Sequence, residues 1–287
     1  MPNIQIVTDT GHNLPDTIRD QIPMIECPFR IHVGDDTLLD NSPTLAEIAT
    51  LLERRKGSYP KTAAPNFGDF IDVYKACQKK DGILVVTIGS SFSATHSNSV
   101  VAVELFREET GSDLPIEVVD SRGGTMTQGF LIMEALQLIS AGKPLQFVAT
   151  VLREQANQGN LVFALRETTY LYRSGRAKRY EHLLGSILRI KPVLALSNGE
   201  LALLDRVRGR GEHKALARVV QEVIERSGGK ITKLAVIGGI DTEKEEKEVK
   251  EQILARLSSE PTQIIDAKIC PAIMVNVGPH SVGAAWV

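Results

Sequence analysis

The stretch Gly82–Ser99, GILVVTIGSSFSATHSNS, constrains this chain more than any other. Its apolar run Ile83–Ile88 has the length of a strand buried on both faces. At Gly89 it breaks into hydroxyls: Ser90, Ser91, Ser93, Thr95, Ser97 and Ser99. Val100, Val101, Val103 and Leu105 follow in a helix-like pattern. Strand, small hydroxylated turn, helix is the arrangement in which open α/β sheets hold ligands at the carboxyl ends of their strands. A helix start also leaves backbone N–H groups without helical partners, which favours an anion. The segment predicts a parallel sheet and a small anionic ligand. Phosphate, carboxylate and nucleophilic chemistry all remain open at this point.

The first half of the chain repeats this alternation. Ile4–Thr8, Ile31–Leu39 and Ile116–Val119 read as extended, and Gly124–Ser140 as a long helix. Thr44 and Glu47 have capping-box spacing behind Pro43, with Leu45, Ile48, Leu51 and Leu52 as the buried stripe. Phe67, Phe70, Ile71 and Tyr74 form another stripe. Strands alternating with helices predict a mostly parallel sheet with helices on both faces. After about Asn160 the pattern changes. Pro192–Leu196 and Leu201–Val207 flank Ser197-Asn198-Gly199-Glu200, a hairpin signal. His213–Arg226 and the highly charged Asp241–Leu257 read as helices, the latter as a solvated outer one. Leu234–Ile237, Ile264–Ile269 and Ile273–Val277 read as strands. The fold class expected is α/β over residues 1–160, followed by a smaller α+β domain over 161–287.

A chain of 287 residues accommodates two such domains. A net charge of −2 and an aromatic content of 5% argue against a nucleic-acid partner. No apolar run reaches the roughly 18 residues of a membrane span. The N-terminus does not read as a signal peptide. Three widely spaced cysteines, Cys27, Cys77 and Cys270, suit a reducing compartment, so a cytoplasmic location is expected. There is no P-loop, dinucleotide fingerprint, HExxH or Cys/His metal spacing, so no metal and no cofactor are expected.

Five segments concentrate hydroxyls, arginines or Gly-Pro turns. They are Thr8-Asp9-Thr10, Lys61–Pro65, Ser90–Thr95, Tyr170–Arg176 with Leu188–Pro192 behind it, and Val277-Gly278-Pro279. Taken singly, Thr62 and the Ser90–Thr95 hydroxyls fit helix capping and turn chemistry as well as they fit a ligand. Arg173 and Arg176 beside a glycine turn point to an anion or a partner.

Their order along the whole chain resembles the DegV family of bacterial fatty-acid-binding proteins. The family's opening T-D-S-T-x-D-L-P matches Thr8-Asp9-Thr10-Gly11-His12-Asn13-Leu14-Pro15. Its T-S-x-P matches Thr62-Ala63-Ala64-Pro65, and with its S-S-x-L-S-G-T-Y the residues Ser90-Ser91 and Phe92-Ser93-Ala94-Thr95-His96 fall in register. Val118–Ser121, Tyr170–Ala177, Leu188–Leu201 and Arg206–Arg210 fall in register with further family segments. The resemblance implies a non-catalytic protein that binds a long-chain fatty acid such as palmitate, its acyl chain in an apolar tunnel between the two domains. It implies that Thr62 and Ser93 hold the carboxylate, with Ala94, Thr95, Asn276 and His280 around it. Some relatives pass the acid to a separate fatty-acid kinase, and Arg176 and Arg208 are the residues expected to face such a partner.

The chain departs from the pattern at the head-group positions. Ala63 loses a hydroxyl, and Ala94 places a methyl where the family has glycine. Asn276 stands where the family has histidine; it can donate a hydrogen bond but cannot titrate. His280 follows Gly278-Pro279, on the other side of that turn. Two alternatives accompany the binding reading. One is a serine acyl hydrolase using Ser93 with His96 or His280, against which stands the lack of a G-x-S-x-G elbow. The other is an interaction module with a structural lipid.

Overall fold

A computed structural model describes residues 2–53, 59–166, 168–174, 190–197, 199–208 and 212–287. The chain begins with β1 (Ile4–Asp9), α1 (Asp16–Arg19), β2 (Met24–Cys27), β3 (Arg30–Val33) and β4 (Asp36–Leu39). It continues through α2 (Leu45–Glu53), β5 (Lys61–Ala63), α3 (Phe67–Ala76), β6 (Gly82–Thr87), α4 (Thr95–Thr110) and β7 (Ile116–Asp120). Then come α5 (Met126–Ser140), α6 (Leu145–Ala156), β8 (Asn160–Ala164), α7 (Thr169–Arg173), β9 (Ile190–Ser197) and β10 (Glu200–Arg208). The last described elements are α8 (Glu212–Ser227), β11 (Lys233–Gly238), α9 (Glu243–Leu254), β12 (Gln263–Lys268), α10 (Pro271–Val277) and β13 (Val282–Trp286).

By internal packing the chain divides into two units. The first comprises residues 1–30, 63–159 and 198–200; the second comprises 31–62, 160–197 and 201–287. The reading from sequence kept 31–62 with the first domain and made the second the smaller one. With 31–62 added, the second unit is the larger. That segment could not have been reassigned from local pattern, because its apolar stripe says that α2 is buried without saying against what.

The first unit is built on the parallel sheet β2-β1-β6-β7. Every residue of β6 is buried. Side chains alternate between the faces of a strand, so a strand buried throughout needs cover on both. Val7, Ile83 and Val85 pack with Phe70 and Tyr74 of α3 and Phe106 of α4. Ile6, Leu84 and Val86 of the opposite face are equally buried, with α5 and α6 against the strands. Capping explains where α3 begins. Asn66 accepts from the Asp69 N–H, and the Asp69 side chain accepts from the Asn66 N–H. The same Asp69 carboxylate takes a two-pronged contact from Arg30, at 2.6 and 2.7 Å.

The second unit carries a six-stranded sheet, β10-β9-β8-β13-β11-β12, in which β11 runs parallel to β12 and antiparallel to β13, and β8 runs antiparallel to β13 and β9. Helices α8 and α9 cover one face through Leu216, Val219, Val223, Val249 and Ile253. Asp241–Leu257 is indeed a helix over its middle, but not a fully solvated one: Val249 and Ile253 are wholly buried. On the other face a smaller cluster joins Leu165, Leu171 and Leu194, with Val277 against it. The short sheet β4-β3-β5 completes the described strands.

One element reverses its expected type. Ile273–Val277 belongs to the helix α10, not to a strand. Pro271 occupies its start, where a missing N–H costs nothing, and the Gly278 N–H closes it on the Met274 carbonyl at 2.8 Å. A short apolar run does not distinguish strand from buried helix by periodicity. The strand lies further on, in Val282–Trp286, where Gly283, Ala284 and Ala285 give little strand propensity.

Candidate functional site

In the first unit the hydroxylated turn hangs from a buried carboxylate. Asp9 ends β1 and is fully buried. Its Oδ2 accepts from the Ile88 N–H at 2.7 Å, and its Oδ1 accepts from Gly11 N–H at 2.9 Å and Gln128 Nε2 at 3.2 Å. Burial pushes the Asp9 carboxyl up, while the donors from Ile88, Gly11 and Gln128 pull it down. The end of β6 is therefore tied to the end of β1. Beyond Ile88 the chain turns, with Gly89 N–H on the Gly123 carbonyl and the Phe92 and Ser93 N–H groups on the Gly89 carbonyl.

Within that turn Ser93 and Thr95 pair through their hydroxyls at 2.8 Å, and the Thr95 N–H reaches Ser93 Oγ at 3.3 Å. Thr95 is fully buried, whereas Ala94 is exposed. The φ of Ala94 is −74°, so its backbone does not require a glycine. The preceding segment is fastened to the same helix by Asn98 Nδ2 on the Pro65 carbonyl, 2.8 Å. His96 places Nδ1 3.4 Å from Thr87 Oγ1. Ser93 thus has Thr95 and His96 has Thr87 as hydrogen-bonding neighbours.

A neighbouring strained residue also belongs to this unit. Thr125 precedes α5 with φ 55° and ψ −140°, a conformation natural to glycine, and its N–H bonds the Gly11 carbonyl at 2.8 Å. Its hydroxyl is buried without a hydrogen-bond partner of its own.

In the second unit Thr62 and Asn276 come together across 214 positions of sequence. Asn276 Nδ2 donates to Thr62 Oγ1 at 3.3 Å and to the Ala272 carbonyl at 2.8 Å. Beside them stands a residue that pattern alone did not single out. Tyr59 donates its hydroxyl to the Val275 carbonyl at 3.0 Å, one residue before Asn276. Its ring lies 6.5 Å from that of Tyr170, and the Arg173 guanidinium lies 5.6 Å over it. Gly278 turns the chain after α10 with φ 88°, and a Cβ there would strike the Tyr170 ring. Arg173 and Tyr170 were visible as motif residues. Tyr59 carried no signal, since an isolated tyrosine between charged and proline residues reads as surface.

His280 donates from Nδ1 to the Ile240 carbonyl at 2.9 Å and lines a cleft with Arg166, Lys191, Thr242 and Glu245. Arg208 ends β10 exposed, and Arg176 lies outside the described residues. Among the described residues there is no metal-ligating group of three or more His, Cys, Asp or Glu, and no helix is long and apolar enough to cross a membrane. Burial pushes the Cys27 thiol up to about 12, which leaves it an inert core residue.

These features define an α/β protein that carries a hydroxyl turn at the end of a parallel sheet in one unit and a Thr–Asn pair under an aromatic–arginine stack in the other. The chain belongs to the DegV family, whose model, described as that of uncharacterised proteins, matches residues 3–287. It is 27% identical over 284 residues to a DegV domain-containing protein of Caldanaerobacter subterraneus, covering 99% of this chain and 98% of that one. Among solved structures it is similar to a hypothetical protein of Thermotoga maritima described as revealing fatty acid binding function. The TM-score is 0.81 and the identity 25%, over 100% of this chain and 99% of that one. It shares its fold with Bacillus subtilis DegV, described as a fatty acid binding protein, at a TM-score of 0.85 and 22% identity over 100% and 99% of the two chains.

Proposed function

We propose that this protein binds a long-chain fatty acid, with the Thr62 and Ser93 hydroxyls on its carboxyl head group. The observation that carries the reading is the Thr62–Asn276 pair: a motif threonine held in place by a residue of α10, in a chain of a family with fatty-acid-binding members. Thr95 supports Ser93, and Asn276 supports Thr62. The chemistry sets which part of the ligand supplies affinity. Burying the methylenes of a C16 chain is worth about 0.8 kcal/mol each, so roughly 10 kcal/mol in gross terms. A single hydroxyl contributes about 1 kcal/mol. The chain holds the ligand; the head-group residues set its register and select its chemistry. Presentation of the acid to a fatty-acid kinase is the finer part of this reading, and the exposed Arg208 is the described residue that would serve it.

Native mass spectrometry of the purified protein tests the reading. The expected result is an adduct with the mass of a C16 or C18 acid, together with a rise in melting temperature on adding palmitate. A ligand-free mass and an unchanged melting temperature overturn it. The kinase step is read separately, by phosphorylation of protein-bound acid with and without Arg208→Glu.

A further inference from the structure

A cleft opens at one end of the six-stranded sheet, and its described lining belongs entirely to the second unit. It encloses about 370 Å³ up to its open mouth. Its apolar wall comes from the end of β8, the start of β13 and the first turn of α8. Its polar side chains are Arg166, Lys191, His280, Thr242 and Glu245.

Strand register explains why three basic residues meet there. Ala164 of β8 pairs with Val193 of β9 on one side and with Val282 of β13 on the other. All three pack in one cluster with α8 and α9, so they share a face of the sheet. Side chains two residues further along a strand point to that same face. Carried two residues past the ladder, the register puts Arg166 between Lys191 and His280. The Leu165 N–H bonds the Pro192 carbonyl at 3.0 Å, which keeps β8 and β9 in this register at the next residue. Like charges opposite one another on neighbouring strands are destabilising, and an anion lying against them offsets that cost. Arg166 and Lys191 make other contacts as well. A guanidinium has five N–H donors and an ammonium three, so both can take a further acceptor. His280 spends Nδ1 on the Ile240 carbonyl, which leaves Nε2 as the ring nitrogen for a ligand.

The opposing charges are mostly engaged. The first turn of α9 brings Glu243, Glu245 and Glu246. Lys268 pairs with Glu243 and Glu246, and Thr242 donates its hydroxyl to Glu246. Among the described residues, Glu245 is the carboxylate that lines the cleft. Two fixed cations and an imidazole therefore face one carboxylate, in a chain whose net charge is −2. We infer that this cleft binds a phosphate group, either as the free ion or as the end of a small molecule. A phosphate group carries a charge of about −1.5 to −2 at neutral pH and several acceptor oxygens, which suits two cations on adjacent strands. A carboxylate brings one charge. The inference stands apart from the fatty-acid reading, since Thr62, Ser93 and Asn276 are not among the residues of the cleft.

Amide NMR of the native protein, titrated with inorganic phosphate at constant ionic strength, tests it. The expected result is saturable shifts centred on residues 164–166, 191–193, 242–246 and 280–282, with acetate binding more weakly. Lys191→Gln should weaken phosphate binding about tenfold, the scale of a lost charged hydrogen bond. Glu245→Gln should tighten it about threefold, by removing an opposing charge at the rim. A variant that simply disturbs the cleft does not produce that gain. Glycerol phosphate separates the two sources: tighter binding than inorganic phosphate marks a phosphate ester as the ligand, and equal or weaker binding marks the free ion. Shifts that scatter over the surface without saturating, equal binding of acetate, or no effect of Lys191→Gln overturn the inference. Palmitate binding is read separately, so either site can fail alone.

Discussion

The two units position their candidate residues by opposite means. In the first, the hydroxyl turn is fixed by main-chain hydrogen bonds, its start tied through the Ile88 N–H to one buried carboxylate, and its residues lie within one strand–turn–helix segment. In the second, Tyr59, Thr62, Tyr170, Arg173 and Asn276 come from segments far apart in sequence and are held by side-chain contacts. The first arrangement is local and stiff; the second exists only when the whole unit is folded. A site of the first kind should be sensitive to one buried group, and a site of the second kind to any of several exposed or half-buried ones.

The largest effect should follow from Asp9→Ala. It strands the Ile88 and Gly11 N–H groups and should cost about 2–5 kcal/mol, at about 1–3 kcal/mol for each buried donor left unsatisfied. Hydrogen exchange should show β1 and β6 losing protection while β8 and β13 keep theirs. Equal loss in both sheets would break the distinction between the units.

Tyr59→Leu comes next. It removes the ring beneath Arg173 and the hydrogen bond to Val275, and should weaken fatty-acid binding about tenfold, near 1.4 kcal/mol, with β1 and β6 still protected. Unchanged affinity would show that the second site does not depend on its aromatic stack.

Acid should act on the first unit through Asp69. The Arg30 guanidinium, ahead of the smaller opposing effect of burial, holds this carboxyl below its ordinary value. Its stabilisation is therefore complete above the unfolded pKa of about 4 and is lost as pH falls through the lower folded value. Melting temperature measured from pH 6 to pH 2.5 should fall less steeply in Asp69→Asn than in the native chain. Parallel curves would show that the Arg30 contact is not coupled to folding.

The smallest effect expected is a gain. Thr125→Gly relieves a φ of 55° and deletes a buried hydroxyl with no hydrogen-bond partner of its own. It should raise the melting temperature by about 2–4 °C, the equivalent of about 1 kcal/mol in a chain of this size. A fall would mean that the threonine methyl packs for more than the strain it causes.

The same contrast explains what could be read from the amino acids. The buried strand, the Thr44–Glu47 cap and the glycine turn between β9 and β10 are local patterns, and the structure contains each of them: β6 runs Gly82–Thr87, Glu47 accepts from the Thr44 N–H at 2.7 Å, and Gly199 turns with φ 81°, while Asn198 lies outside the described residues. Thr62 and Asn276 were named from motifs, but that they touch is a tertiary fact. The direction of the Asn276 amide depends on Ala272, one helical turn back, in a segment whose apolar run looked like a strand. A wrong element type thus hid the geometry of Asn276. Tyr59 was illegible for a related reason: Val275, Tyr170 and Arg173, which it contacts, lie more than a hundred residues away.

Strand β13 holds the centre of the six-stranded sheet, between β8 and β11, with Trp286 almost wholly buried. Its place in the order of synthesis has a consequence for biogenesis. All of the first unit except residues 198–200 has been made once residue 159 is joined. The second unit must wait until residues 282–286 clear the ribosome before β8 and β11 have a strand between them. Until then those two strands present open edges and apolar faces, the kind of surface that invites chaperones or misassociation. Nascent chains stalled just short of Val282 should therefore display a protease-resistant first unit joined to a second that is still cut freely.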